Sequence, residues 1–145
     1  MLQERKIAQI LGYSGIIPYL FTSIFVRFNF TYFDIVEVII IYSYTIITFL
    51  GGIYWGIALI SKYNSKFIFL FSVTSSVLIL TSLFLNFDTV YKIIFIIILI
   101  NTFLFFELRF FKEKFIPKWF FTLRIRLNVL LTFFLIVIFF RLFLF

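Results

Sequence analysis

Residues 49–59, FLGGIYWGIAL, lie within an apolar run that extends from Ile35 to Ile60. A run of this length predicts a helix that crosses a membrane, since about 20 apolar residues are enough to span the hydrocarbon. Three glycines interrupt it, although glycine costs about 1 kcal/mol relative to alanine inside a helix. We therefore expect these glycines to permit a close approach between helices or a kink.

The rest of the chain has the same character. Of its 145 residues, 64% are hydrophobic and 13% are charged, whereas apolar residues make up about half of a soluble domain. Four further apolar runs are separated by short segments rich in charged and turn-forming residues. We predict an all-α integral membrane protein, a single domain over residues 1–145 with five transmembrane helices at about 7–26, 35–60, 67–85, 90–106 and 119–143.

The distribution of Lys and Arg predicts the orientation of this five-helix bundle. Ten of these residues fall in the N-terminal segment and in the loops on the same side, and three, Arg27, Lys92 and Arg141, fall on the other. Positive residues are enriched in cytoplasmic loops. The N-terminus is therefore expected in the cytoplasm or an organelle matrix, and the C-terminus outside.

Small residues in the first two helices fall at matching depths. The pattern Gly52-x-x-x-Gly56 is typical of close helix contacts in membranes. We predict that the second helix uses it to pack against the first helix. The residues assigned to helix packing are Gly12, Gly15, Pro18, Gly51, Gly52 and Gly56.

Polar residues of the later helices fall in the same leaflet. Arg124, Asn128 and Thr132 are spaced i, i+4, i+8 and share one face, which should point into the bundle because exposure to lipid is costly. Glu107 is the expected counter-charge. The predicted polar pocket or ion pair comprises Trp55, Asn101, Glu107, Arg124 and Asn128, with Trp55 either covering a cavity or lying in the interfacial belt. Whether this layer is a site or only packing stays open.

A concentration of basic residues precedes and begins the last helix. Lys112, Lys114, Lys118 and Arg126 are expected to contact lipid headgroups. The net charge of +7 follows the positive-inside pattern, so anionic lipids are the expected partners and nucleic acid is not.

Three blocks of the sequence resemble the transmembrane protein 69-like family. They are LGYSGIIPYL at 11–20, FLGGIYWGIAL at 49–59 and IPKWFFTLRIRLNVL at 116–130. The resemblance implies a small five-helix protein of the bacterial inner (plasma) membrane or, alternatively, the mitochondrial inner membrane, with a domain of unknown function. Two positions depart from the family pattern: Tyr54 stands where His or Arg is frequent, and Asn128 where Thr is commoner.

The residue inventory limits the possible functions. The chain has no histidine, no cysteine and a single methionine, so the usual ligands of redox metals and zinc are missing. We expect no metal, no cofactor and no enzymatic activity. The expected function is an accessory or assembly component of a larger membrane complex, in a homo- or hetero-oligomer. The alternative is an oligomeric transporter or channel for a small solute, with its site in the cytoplasmic leaflet.

Overall fold

A computed structural model describes residues 2–27, 34–61, 65–111 and 116–144, and over this part of the chain all regular structure is helical. Five of its stretches are long and apolar enough to cross a membrane, which indicates a multi-pass membrane protein. The helices are α1 (Leu2–Ser14), α2 (Ile17–Phe25), α3 (Ile35–Ile60), α4 (Ser65–Phe84), α5 (Thr89–Phe110) and α6 (Lys118–Phe143).

The first predicted span, at about 7–26, overlaps a stretch at Leu2–Phe25 that is long and apolar enough to cross a membrane, but this stretch is divided into two helices. Helix α1 ends at Ser14 and α2 begins at Ile17. Pro18 causes the break, because it has no N–H to donate to the carbonyl of Ser14 and its ring would clash with that carbonyl. At the break, the carbonyl of Gly15 accepts a hydrogen bond of 3.1 Å from the hydroxyl of Tyr42 on α3. A side chain of a neighbouring helix thus satisfies a backbone group that the break leaves free.

Local sequence signals define the ends of the other helices. The carboxylate of Asp34 accepts hydrogen bonds from the N–H groups of Val36 and Glu37 and so caps α3. Asn86, with a φ of 44°, adopts the left-handed conformation just beyond α4. Helix α5 extends to Phe110, beyond the predicted end at residue 106, and thereby includes Glu107 in a regular helix.

Helix α3 lies at the centre of the packing. It packs along α4 and also contacts α2 and α5, whereas α6 packs on α5, α2 and α1. Aliphatic side chains such as Ile39, Ile93 and Leu135 fill one end of the bundle. Aromatic side chains around Tyr54 and Phe103 fill the other end. Helix α1 contributes no buried residue and lies against α6 at the edge of the bundle.

The three glycines of α3 do not share one role. A Cβ atom on Gly51 would lie 2.5 Å from the backbone carbonyl oxygen of Ser72 on α4, so only glycine permits this helix contact. Gly52 and Gly56 are exposed, and a Cβ atom on either would meet nothing within 4 Å. The predicted packing of Gly52 and Gly56 against the first helix is therefore wrong. Both faces of a membrane helix are apolar, so hydrophobicity did not reveal which glycine faces inward.

The small residues of the first span pack elsewhere. A Cβ atom on Gly12 would lie 2.8 Å from Cδ1 of Leu127, which places α1 close to α6. Gly15 lies beside the hydroxyl of Tyr42, and Pro18 occupies the first turn of α2. The contact of α1 in this region is thus with α6, and Gly15 at the break accepts a hydrogen bond from Tyr42 of α3.

Candidate polar site

Glu107 near the end of α5 and Arg124 in the second turn of α6 form a buried ion pair. The guanidinium donates from Nε to one carboxylate oxygen at 3.2 Å and from Nη2 to the other at 3.0 Å. The Glu107 side chain is fully buried, and Arg124 is 7% exposed. Two parallel charge-assisted hydrogen bonds fix the relative orientation of both groups. The pair therefore joins α5 to α6 at the aromatic end of the bundle.

A chain of amides begins one turn further along α6. The side-chain Nδ2 of Asn128 donates to Oδ1 of Asn101 at 2.9 Å, and Nδ2 of Asn101 donates to Oγ1 of Thr132 at 3.0 Å. Asn128 is 2% exposed, and its Oδ1 atom has no hydrogen-bond partner in the described part of the chain. Because a buried acceptor without a partner costs free energy, this atom needs an explanation.

A cavity of about 430 Å³ lies next to these groups, between α1, α3 and α6. Arg124 and Asn128 form part of its wall, and most of the remaining lining is aliphatic or aromatic. Lining residues include Ala8, Leu11, Gly12, Tyr42, Ile46, Phe49, Leu50, Ile53, Ile100, Phe120, Leu123, Leu127 and Leu131. The structure thus brings residues of the first, second, fourth and fifth spans together around one space.

Tyr54 is a buried residue of this region that the sequence analysis did not assign to the site. It is 1% exposed, and its ring packs against those of Phe71, Phe103 and Phe111. Its hydroxyl has no hydrogen-bond partner among the described residues. A buried tyrosine usually pairs its hydroxyl, so a buried Tyr54 would have been a candidate site residue. The available sequence signal was its position between Gly51 and Gly56.

Trp55 lies apart from the polar groups. It is 47% exposed, and its ring meets Phe69 of α4 edge to face at a centroid distance of 4.8 Å. The residue does not line the cavity. The prediction that Trp55 belongs to the polar pocket is therefore wrong, because successive residues of a helix point about 100° apart and Tyr54 takes the inward position.

The predicted headgroup residues are only partly described. Lys118 and Arg126 are exposed in the first turns of α6. Lys112 and Lys114 lie outside the described residues. Both described side chains lie in the N-terminal part of α6, where long cationic side chains can extend to a headgroup region.

The described polar groups lie beside a mostly apolar cavity. No group of three His, Cys, Asp or Glu side chains capable of holding a metal comes together among the residues that the structure describes. The carboxylate of Glu107 is already engaged with Arg124. The wall of the cavity offers hydrogen-bonding groups of Arg124 and Asn128 in an otherwise apolar space, an arrangement typical of small-molecule binding sites.

Comparison with known proteins identifies a family and no individual relative. A family model described as a protein of unknown function, DUF3429, matches residues 4–140. Neither the curated proteins nor the solved structures provide a match. Since the match covers nearly the whole helical bundle, the chain belongs to the DUF3429 family of proteins of unknown function.

Proposed function

We propose that the chain is an accessory or assembly component of a larger membrane complex and contacts its partner through the outward face of α3. The observation that carries the proposal is the open space over Gly52 and Gly56, where a Cβ atom on either residue would have no atom of the described chain within 4 Å. By contrast, a Cβ atom on the neighbouring Gly51 would collide with Ser72 of α4.

The shape of this face suits another helix. Phe49 and Trp55 are 67% and 47% exposed, so large side chains flank the notch that Gly52 and Gly56 leave. Small residues at four-residue spacing allow the backbones of two membrane helices to approach closely, and van der Waals packing then drives association. A partner helix would fill a notch that lipid chains fill less well.

The finer features of the proposal rest on the sequence. The Lys and Arg asymmetry supports an N-terminus in the cytoplasm or matrix and a C-terminus outside. Exposed Lys118 and Arg126 support contact with anionic headgroups. The resemblance to the transmembrane protein 69-like family supports the bacterial inner membrane, with the mitochondrial inner membrane as the alternative. The proposal assigns no catalytic step to the chain.

Native mass spectrometry of the chain extracted from its source membranes in mild detergent tests the proposal. The wild type should be detected at the mass of a complex. The double variant Gly52→Leu, Gly56→Leu should be detected as a folded single chain of about 17.5 kDa. The matched control is Ser76→Leu, Thr102→Leu, which adds bulk at exposed positions of α4 and α5 and should leave the complex intact. A wild-type chain that runs alone would overturn the proposal.

The second candidate is an oligomeric transporter or channel for a small solute. The cavity beside Arg124 and Asn128 favours it, because a solute site needs polar groups within an apolar bundle. Uptake of a small polar solute into vesicles that contain the wild-type chain and no other protein would favour this function over the first.

A further inference from the structure

Two residues in the wall of the cavity between α1, α3 and α6, Arg124 and Asn128, carry hydrogen-bonding atoms that the described chain leaves without a partner. Asn128 is 2% exposed and lines the cavity, yet its Oδ1 accepts no hydrogen bond among the described residues. Arg124 lines the same wall and donates to Glu107 from Nε and Nη2, so Nη1 makes no hydrogen bond within the described chain. The free acceptor of Asn128 and the free N–H groups of Arg124 thus belong to residues four apart on the same face of α6.

These two groups define the polar part of a ligand. A hydroxyl group accepts from a guanidinium N–H and donates to an amide oxygen, so one hydroxyl can satisfy both groups. The charge of Arg124 is already balanced by the carboxylate of Glu107 at 3.0 Å. An anionic headgroup would be placed close to this carboxylate, and like charges repel strongly in a low-dielectric environment. The polar part of the ligand is therefore neutral.

The remaining wall defines the rest of the ligand. The volume of about 430 Å³ falls within the range of small-molecule sites. Leu11, Phe49 and Leu127 represent its predominantly apolar lining. Helix α1, which forms one wall, buries none of its residues and packs on α6. A ligand in this position therefore has an apolar body.

We propose that this cavity binds a neutral amphipathic lipid with a hydroxyl head and a hydrocarbon chain. The hydroxyl lies between Arg124 and Asn128, and the chain lies along the apolar side chains of α1 and α3. This site meets the outward face of α3 at Phe49, whereas Gly52, Trp55 and Gly56 do not line the cavity.

Photolabelling of the full chain in phosphatidylcholine nanodiscs tests this assignment. The probe is 1-monooleoylglycerol with a diazirine in its acyl chain, and mass spectrometry locates the labelled residues. Label is expected on cavity-lining residues such as Leu11, Phe49 and Leu127. Unlabelled 1-monooleoylglycerol should compete about tenfold better than methyl oleate, which lacks the hydroxyl donor. Oleate, the anionic competitor, should also compete less well.

Two matched variants separate binding from packing. Both Asn128→Leu and Asn101→Leu remove the hydrogen bond between the two amides. Only Asn128→Leu also removes the free acceptor, because Asn101 does not line the cavity. Asn128→Leu should weaken competition by 1-monooleoylglycerol about tenfold, and Asn101→Leu should leave it nearly unchanged. Ala8→Phe, on the helix without buried residues, should fill the cavity and reduce labelling of the folded chain.

Several results would overturn the assignment. They are labelling spread evenly over the lipid-exposed helices, equal competition by methyl oleate, stronger competition by oleate, and equal effects of Asn128→Leu and Asn101→Leu. The complex on the α3 face is measured without this probe, so failure of one proposal is distinguishable from failure of the other.

Discussion

The guanidinium of Arg124 on α6 donates to both carboxylate oxygens of Glu107 on α5, at 3.2 and 3.0 Å. Replacement of either partner by glutamine leaves an unpaired buried charge. We expect Glu107→Gln and Arg124→Gln each to lower the free energy of unfolding by about 3 kcal/mol, and the double variant to lose less than the sum.

Thermal unfolding of the four proteins in the same detergent measures this coupling. The control is the pair formed by Lys92 and Glu37, which lies 3.4 Å apart with a Glu37 side chain that is 45% exposed. Its coupling should be below about 1 kcal/mol because solvent screens it. Additive losses for Glu107 and Arg124 would contradict a stabilising interaction between them.

Adjacent glycines of α3 should respond in opposite directions to the same substitution. Gly51→Ala places a methyl group 2.5 Å from the carbonyl oxygen of Ser72, so it should destabilise the protein by about 1 to 3 kcal/mol. Gly52→Ala meets nothing within 4 Å and should be neutral or slightly stabilising, because alanine favours the helix. Melting temperatures of the two variants provide the test, and equal values would show that the α3 contact with α4 is not as close as described.

The hydrogen bond across the break in the first span should also be measurable. Tyr42→Phe removes the donor to the carbonyl of Gly15 and should cost about 1 kcal/mol. Tyr91→Phe is the control, because it removes the same hydroxyl from a tyrosine that is 60% exposed. Unfolding curves that do not distinguish the two variants would argue against this contact.

Two buried tyrosines should differ in how they tolerate loss of the hydroxyl. The hydroxyl of Tyr54 has no partner among the described residues, so Tyr54→Phe should leave stability unchanged or raise it by about 1 kcal/mol. The hydroxyl of Tyr19 lies 2.8 Å from Oγ of Ser43, so Tyr19→Phe should destabilise. A marked loss of stability in Tyr54→Phe would reveal a bound partner for that hydroxyl.

Sequence patterns predicted the membrane helices better than their faces. Length and hydropathy located α3 to α6, since crossing the hydrocarbon imposes a minimum apolar length. The break at Gly15 was missed although Pro18 was visible, because proline is tolerated in membrane helices and its effect depends on neighbouring donors such as Tyr42.

The charged and amide residues of the site could be predicted from the sequence. Arg124 and Asn128 had to face the bundle, because lipid exposure of these groups is costly, and the structure brings Arg124 to Glu107. The orientation of Trp55 and Gly52 was not predictable, because apolar residues and glycines are acceptable toward both lipid and protein. The cavity depends on the separation of α1 from α3, which no local pattern encodes.

Cross-linking from the α3 face in native membranes tests the proposed function most directly. The chain has no cysteine, so single variants Gly52→Cys, Gly56→Cys and the control Val129→Cys can each carry a thiol-attached photo-crosslinker. Val129 is 61% exposed and lies on α6 rather than on α3. We expect one discrete protein adduct from positions 52 and 56 and no protein adduct from position 129. Lipid adducts alone at all three positions, or the same protein adducts at all three, would contradict it.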